Sequence, residues 1–128
     1  MEKKKMNDKG FSLVELIIVI AIMAVLVGIL APQYLKYVQS SRVSTDITNA
    51  EEIATSVSVA IADGDITLPA SGTITVDADD ISNVDAFPAS KVSASYTWEV
   101  TVGELGVSKI TLGGAEIWPD STAYESAN

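Results

Sequence analysis

A carboxylate at Glu15 stands five residues into an apolar run, Phe11 to Ala31, whose one other strongly polar side chain is Ser12. An ionised group in surroundings that otherwise suit lipid needs an opposite charge or a route to water. Taken alone, Glu15 could be a carboxylate snorkelling at a membrane edge. The rest of the chain offers little for catalysis. It has no cysteine and no histidine, so a thiolate nucleophile, a disulfide and a zinc centre of the usual kind are excluded. Serines are plentiful, but no base stands ready to activate one, and no enzyme, catalytic residue or cofactor site is expected.

Two acidic clusters, Asp63-Gly64-Asp65 and Asp77-Ala78-Asp79-Asp80, raise the question of calcium. The EF-hand template needs glycine five residues after its first aspartate and glutamate at position twelve. Counting from Asp77, Ser82 and Pro88 occupy those places, so the clusters read as solvated turns and no metal site is assigned. Phe11, Tyr34 and Tyr37 lie along one helical segment, where packing accounts for them better than electron conduction.

Charge is unevenly placed. Lys3, Lys4, Lys5 and Lys9 against Glu2 and Asp8 give the first ten residues +2, which leaves −11 of the total −9 on residues 11–128. An acidic body argues against a nucleic-acid site built on a basic surface. Lysines just before an apolar run mark the cytoplasmic end of a membrane span. From Phe11 to Ala31 there are 21 residues, roughly 32 Å of helix and about the thickness of a bilayer core. A secretory signal has a shorter apolar core followed by a small-residue cleavage site, and no convincing site follows this run.

The helix is expected to run on past the apolar segment. Ile47, Ala50, Ala54, Val57 and Ile61 recur at helical spacing, with Asp46, Glu51, Glu52 and Ser56 mainly on other faces. Asp63-Gly64-Asp65 supplies a stop, the helix ending at about residue 62. Pro32 lacks the N–H that would bond the carbonyl of Gly28, so the two defects fall on one turn, where a kink is expected. Beyond Gly64 the period changes to two. "VSASYTWEVTV" alternates Val92, Ala94, Tyr96, Trp98, Val100 and Val102 against polar residues, predicting a half-buried strand. "GELG" and "VSKITL" complete a hairpin, with Ile110 and Leu112 on the buried face, and "GTITV" and "AEIW" are shorter partners. The fold class is α+β. A long N-terminal helix, its first half transmembrane and its second amphipathic, carries a small antiparallel sheet of three or four strands on its C-terminal half.

The run "KGFSLVEL" sets a short basic leader ending in Gly10 before Phe11, Ser12 and Glu15. This resembles the leader and N-terminal helix of type IV pilins and the related pseudopilins, closely over about the first forty residues and only architecturally beyond. The resemblance implies cleavage after Gly10 by a prepilin peptidase, methylation of the new amino terminus at Phe11 by the same enzyme, and pairing of Glu15 with that terminus on a neighbouring subunit. It places the helix-bending proline of the family at Pro32. It also implies three regions: a cleaved leader at 1–10, a transmembrane and filament-core helix at 11–31, and a globular domain at 32–128.

Elementary chemistry agrees with those roles. A glycine beside the scissile bond leaves no side chain to clash in a narrow site. An ammonium at the head of an apolar helix and a carboxylate one turn in are each costly alone, and pairing them offsets desolvation and rewards one stagger between subunits. The expected function is a structural subunit, a major pilin of an extracellular type IV pilus. Its expected partners are further copies in a helical homopolymer, the peptidase and methyltransferase, and an assembly platform in the cytoplasmic membrane. The precursor would sit there as a single-pass protein, and motility, adhesion or DNA uptake would belong to the assembled machine. The alternative is the major pseudopilin of a type II secretion or competence system. Many pilins of Gram-negative bacteria close a C-terminal loop with a disulfide. This chain cannot, which leans toward the cysteine-free pilins of some Gram-positive bacteria and leaves its C-terminal stabilisation to be explained.

Overall fold

A computed structural model of the chain describes residues 10–82 and 84–128. Of the leader expected at 1–10, residues 1–9 lie outside the described residues. The chain divides into two units, Met1–Val38 and Gln39–Asn128. Helix α1 (Leu13–Asp63) gives the first unit its apolar segment and the second its helical layer. In the second unit, β1 (Ile74–Val76), β2 (Trp98–Gly103), β3 (Gly106–Leu112) and β4 (Ala115–Trp118) follow, then a short helix α2 (Thr122–Ala127). The strands form one antiparallel sheet in the order β1-β2-β3-β4, and the α+β expectation holds with four strands.

Helix α1 ends where the sequence stops it. The amide of Gly64 donates to the Ile61 carbonyl at 3.2 Å and that of Asp65 to the Ala60 carbonyl at 2.9 Å. Gly64 turns the chain with φ +90°, and this pair of bonds satisfies carbonyls that a helix end leaves open. Buried Ile66 then folds back onto the core. Serines and threonines are poor helix formers because their hydroxyls compete for the backbone. Here Thr45, Thr48, Thr55 and Ser58 each donate to the carbonyl four residues earlier, at 2.8 to 3.0 Å, inside a helix that persists.

The core joins one stripe of α1 to one face of the sheet. Val43, Ala50, Ile53, Ala54, Val57 and Ala60 meet Val76, Val100, Val102, Ile110, Leu112 and Ile117. Ile110 and Leu112 share the buried face as expected. The stripe is rotated from its predicted setting, so Ile47 and Ile61 are only partly buried at its margins. Asp46, expected on another face, is a correction of larger consequence: it lies on the stripe and is 0 % exposed. The expected strand from Val92 is also shorter than the alternation suggested, since pairing begins at Trp98 and Ala94 is exposed.

One cause explains both departures. The Asp46 carboxylate draws in the segment just before the sheet. Oδ2 accepts from Ser90 Oγ at 2.6 Å, and Oδ1 accepts from the Lys91 amide at 2.8 Å. The Val92 amide reaches Oδ2 at 3.4 Å. Ser90 Oγ in turn accepts the amides of Val92 and Ser93, and the Tyr96 amide closes a turn on Ser93. Backbone donors used this way are unavailable to a strand ladder. From α2, Tyr124 Oη donates to the same Asp46 oxygen at 2.6 Å. Three stretches far apart in sequence therefore converge on one buried carboxylate. Burial alone would raise the Asp46 pKa, but the hydrogen bonds from the Lys91 amide, Ser90, Tyr124 and Val92 outweigh it and hold the carboxyl below its ordinary range. Burial and the neighbouring carboxylate push the Tyr124 hydroxyl well above its own.

The β3–β4 turn is held by a close contact. Gly113 has φ +62°, and a Cβ placed there would lie 2.8 to 2.9 Å from ring atoms of Tyr96. The Tyr96 hydroxyl donates to Asn128 Oδ1 at 3.0 Å, so the ring is tethered at its far end and cannot simply swing away. Gly113→Ala is expected to cost about 2–3 kcal/mol, combining left-handed strain with overpacking. Gly114→Ala meets no neighbour within 4 Å, so it should cost less. Paired denaturation midpoints of the two variants check the difference.

Candidate processing and assembly segment

The residues singled out at the N-terminal end occupy one short exposed stretch. Gly10 forms a bend, Phe11 and Ser12 are irregular, and α1 begins at Leu13. Phe11 is 78 % exposed, Gly10 and Glu15 are exposed, and the side chains through Leu30 are open to their surroundings on every face. Residues in this part of α1 form a stretch long and apolar enough to cross a membrane, judged by length and composition.

The helix start is set by Ser12. Its carbonyl accepts the Leu16 amide and its Oγ accepts the Glu15 amide, each at 3.2 Å. A serine with glutamate three residues on is the sequence signature of such a start. The pairing is displayed in the sequence as "SLVE", a signal separate from the charge of Glu15. Glu15 also lies in the first turn, where a negative charge complements the positive end of the helix dipole. Among the described residues its carboxylate accepts no hydrogen bond within the chain. Glu15 thus gives its backbone to the cap, and its side chain is exposed.

Gly28 and Pro32 both lie within the continuous span of α1. The Gly28 carbonyl can receive no amide from Pro32, and a Cβ built on Gly28 would meet nothing within 4 Å. The acidic clusters act as turn supports. Asp80 Oδ2 accepts the Asp77 amide at 2.9 Å and Asp65 Oδ2 accepts the Ser82 amide at 3.0 Å. Among the described residues, no group of three or more potential metal-ligating side chains comes together.

A family model described as the prokaryotic N-terminal methylation motif matches residues 5–31. The chain is 38 % identical over 60 residues to a type IV major fimbrial protein FimA of Dichelobacter nodosus, a match covering 47 % of this chain and 38 % of that protein. It is 43 % identical over 57 residues to a fimbrial protein of Moraxella nonliquefaciens, covering 44 % and 37 % of the two chains. A fimbrial protein of Pseudomonas aeruginosa is 38 % identical over 57 residues, with the same shares. The chain therefore spans less than two fifths of the length of these curated relatives. No solved structure matches it. Residues 5–31 thus match the methylation-motif model, and just under half of this chain is similar to part of proteins named as type IV fimbrial or fimbrial proteins.

Proposed function

We propose that the chain is a pilin, a structural subunit that polymerises into a type IV pilus. The observation that carries this reading is the conjunction of the methylation motif at residues 5–31 with an exposed Gly10–Phe11 bond at the head of an apolar helix. The precursor enters the cytoplasmic membrane with its lysine-bearing end inside. A prepilin peptidase adds water to the Gly10 carbonyl carbon, the bond to the Phe11 nitrogen breaks, and Phe11 gains a free amino group. That amine is then methylated with loss of a proton, the methyl group coming from a sulfonium donor. At neutral pH the product is an ammonium at the start of α1, and Glu15 of a neighbouring copy neutralises it.

Three regions serve this cycle: the leader at 1–10, the membrane and filament-core helix at 11–31, and the globular domain at 32–128. The apolar side chains that lie open along α1 become covered by copies of themselves when subunits leave the membrane platform for the filament. Gly28 and Pro32 form the weak turn at which the helix bends or unwinds as subunits pack. The acidic domain faces outward. No catalytic step is assigned to the chain itself.

Mass measurement of the chain recovered from sheared filaments tests the reading. A species beginning at Phe11 and carrying one added methyl group is expected, whereas a chain still beginning at Met1 overturns the processing scheme. Filaments micrometres long built mainly of this chain support the pilus. Short assemblies confined to the cell envelope would assign it instead to a secretion or competence pseudopilus.

A further inference from the structure

We infer that Ser12 is a positioning residue for leader removal: its cap fixes where α1 begins and so keeps the Gly10–Phe11 peptide outside the helix. This rests on the processing reading above. A peptide bond inside a helix is a poor substrate for hydrolysis, because its carbonyl accepts the amide four residues on and its faces are covered by side chains. Were α1 to extend upstream, the Gly10 carbonyl would accept the Val14 amide. That carbonyl carbon is the atom that water must attack.

The structure shows what stops the extension. Amides in the first turn of a helix lack partners and draw the preceding chain into helical bonds. Ser12 answers that demand from within, its Oγ taking the Glu15 amide at 3.2 Å. Its carbonyl already accepts the first helical bond, from Leu16 at 3.2 Å. Gly10, Phe11 and Ser12 consequently stay irregular, with Gly10 in a bend and Phe11 78 % exposed. Glycine at position 10 adds its own reluctance to become helical. The cap is also uncharged, so it leaves Glu15 as the sole carboxylate near the ammonium that cleavage releases. Aspartate caps as well as serine does but would place a second carboxylate in the same turn.

The full-length chain in detergent, treated with membranes containing prepilin peptidase, provides the test. Initial rates and cut sites are compared for the unaltered chain and for Ser12→Ala, Ser12→Thr and Ser12→Asn. The unaltered chain is expected to be cut after Gly10. Ser12→Ala should be cut at the same bond with kcat/KM lower by on the order of fivefold, the scale of losing a helix cap. Ser12→Thr and Ser12→Asn, which restore a capping acceptor, should return to within about twofold of the unaltered rate. A purely structural role would not show this rescue, because α1 persists in all four chains. Equal rates for Ser12→Ala and the unaltered chain overturn the assignment while leaving the processing reading intact. So does a Ser12→Asn chain as slow as Ser12→Ala, which would mean that the peptidase reads the serine side chain itself. An unaltered chain that is not cut after Gly10 overturns both.

Discussion

Replacing Asp46 with alanine should destabilise the globular unit by about 3–5 kcal/mol, the largest effect of any single substitution considered for the fold. The fully buried carboxylate serves four donors, and three of them, Ser90 Oγ, the Lys91 amide and Tyr124 Oη, approach within 2.8 Å. The Ser90 and Tyr124 hydroxyls would be left buried without their acceptor, a loss of about 1–3 kcal/mol apiece before relaxation, and the part-buried Lys91 amide would lose its partner too. Domains of this size have a total stability of roughly 5–15 kcal/mol, so the variant should unfold at a much lower denaturant concentration. Asp46→Asn should cost less. Its amide keeps one acceptor oxygen, and the Tyr124 hydroxyl can rotate to accept instead of donate. Unfolding of the full chain in micelles, followed by the fluorescence of Trp98 and Trp118, measures both. An alanine variant with an unchanged midpoint would contradict the account.

The same group sets an acid limit. Its carboxyl is held below the ordinary value in the folded chain, so the unfolded chain, with a carboxyl near ~3.9, binds the proton first as pH falls. The stability that Asp46 contributes is complete above that ordinary value and is lost as pH drops through the lowered one. Tyr124 sets the opposite limit, because its hydroxyl is raised by burial and by Asp46. Its contribution is complete below the unfolded value of about 10 and fades as pH rises toward the raised one. Between these limits the pair's contribution should be flat with pH, and Asp46→Asn should remove the part of the acid dependence that Asp46 supplies.

Glu15→Ala should leave the precursor inserted in the membrane at its usual level while abolishing filament growth. The substitution makes the span more apolar and leaves the Ser12 cap in place, because the bond there uses the residue 15 amide rather than its side chain. In a bundle of apolar helices, by contrast, the Phe11 ammonium would have lost the one carboxylate near it. An unpaired charge in that setting costs several kcal/mol, enough to shift each subunit addition by about a hundredfold or more. Counting sheared filaments against chain recovered in the membrane fraction separates assembly from insertion. Glu15→Gln should fall between, since a neutral acceptor satisfies part of the ammonium. High salt should not rescue either variant, because a pair enclosed by helices is screened little. Normal filaments from the alanine variant would sink the pairing idea.

The sequence was most readable where a single local force acts. A stop needs only a glycine able to turn, and Asp63-Gly64-Asp65 ended α1 at Asp63 as expected. Strict alternation identified Val100, Val102, Ile110 and Leu112 as one face because strand side chains have a fixed period. Legibility failed where a distant partner overrode the local pattern. Val92 to Tyr96 alternate as a strand would, yet Asp46, more than forty residues earlier, holds the neighbouring amides in another shape. Asp46 itself falls at helical spacing with Val43, Ala50 and Ile53, so a polar residue on an apolar stripe was the available sign. At the N-terminal end, the charge of Glu15 is the more conspicuous feature, but its backbone carries a second one, the cap in "SLVE".

The tie between Asp46 and Tyr124 has a consequence for where and how this protein can be made. It fastens α2 to α1 across 78 residues of chain with no covalent crosslink. Such a clasp is made by hydrogen bonding alone. It requires neither an oxidising compartment nor a thiol exchange catalyst, and reductants cannot open it. Each copy can fold without consuming an electron acceptor. A copy that comes apart could close again without any redox chemistry to repeat.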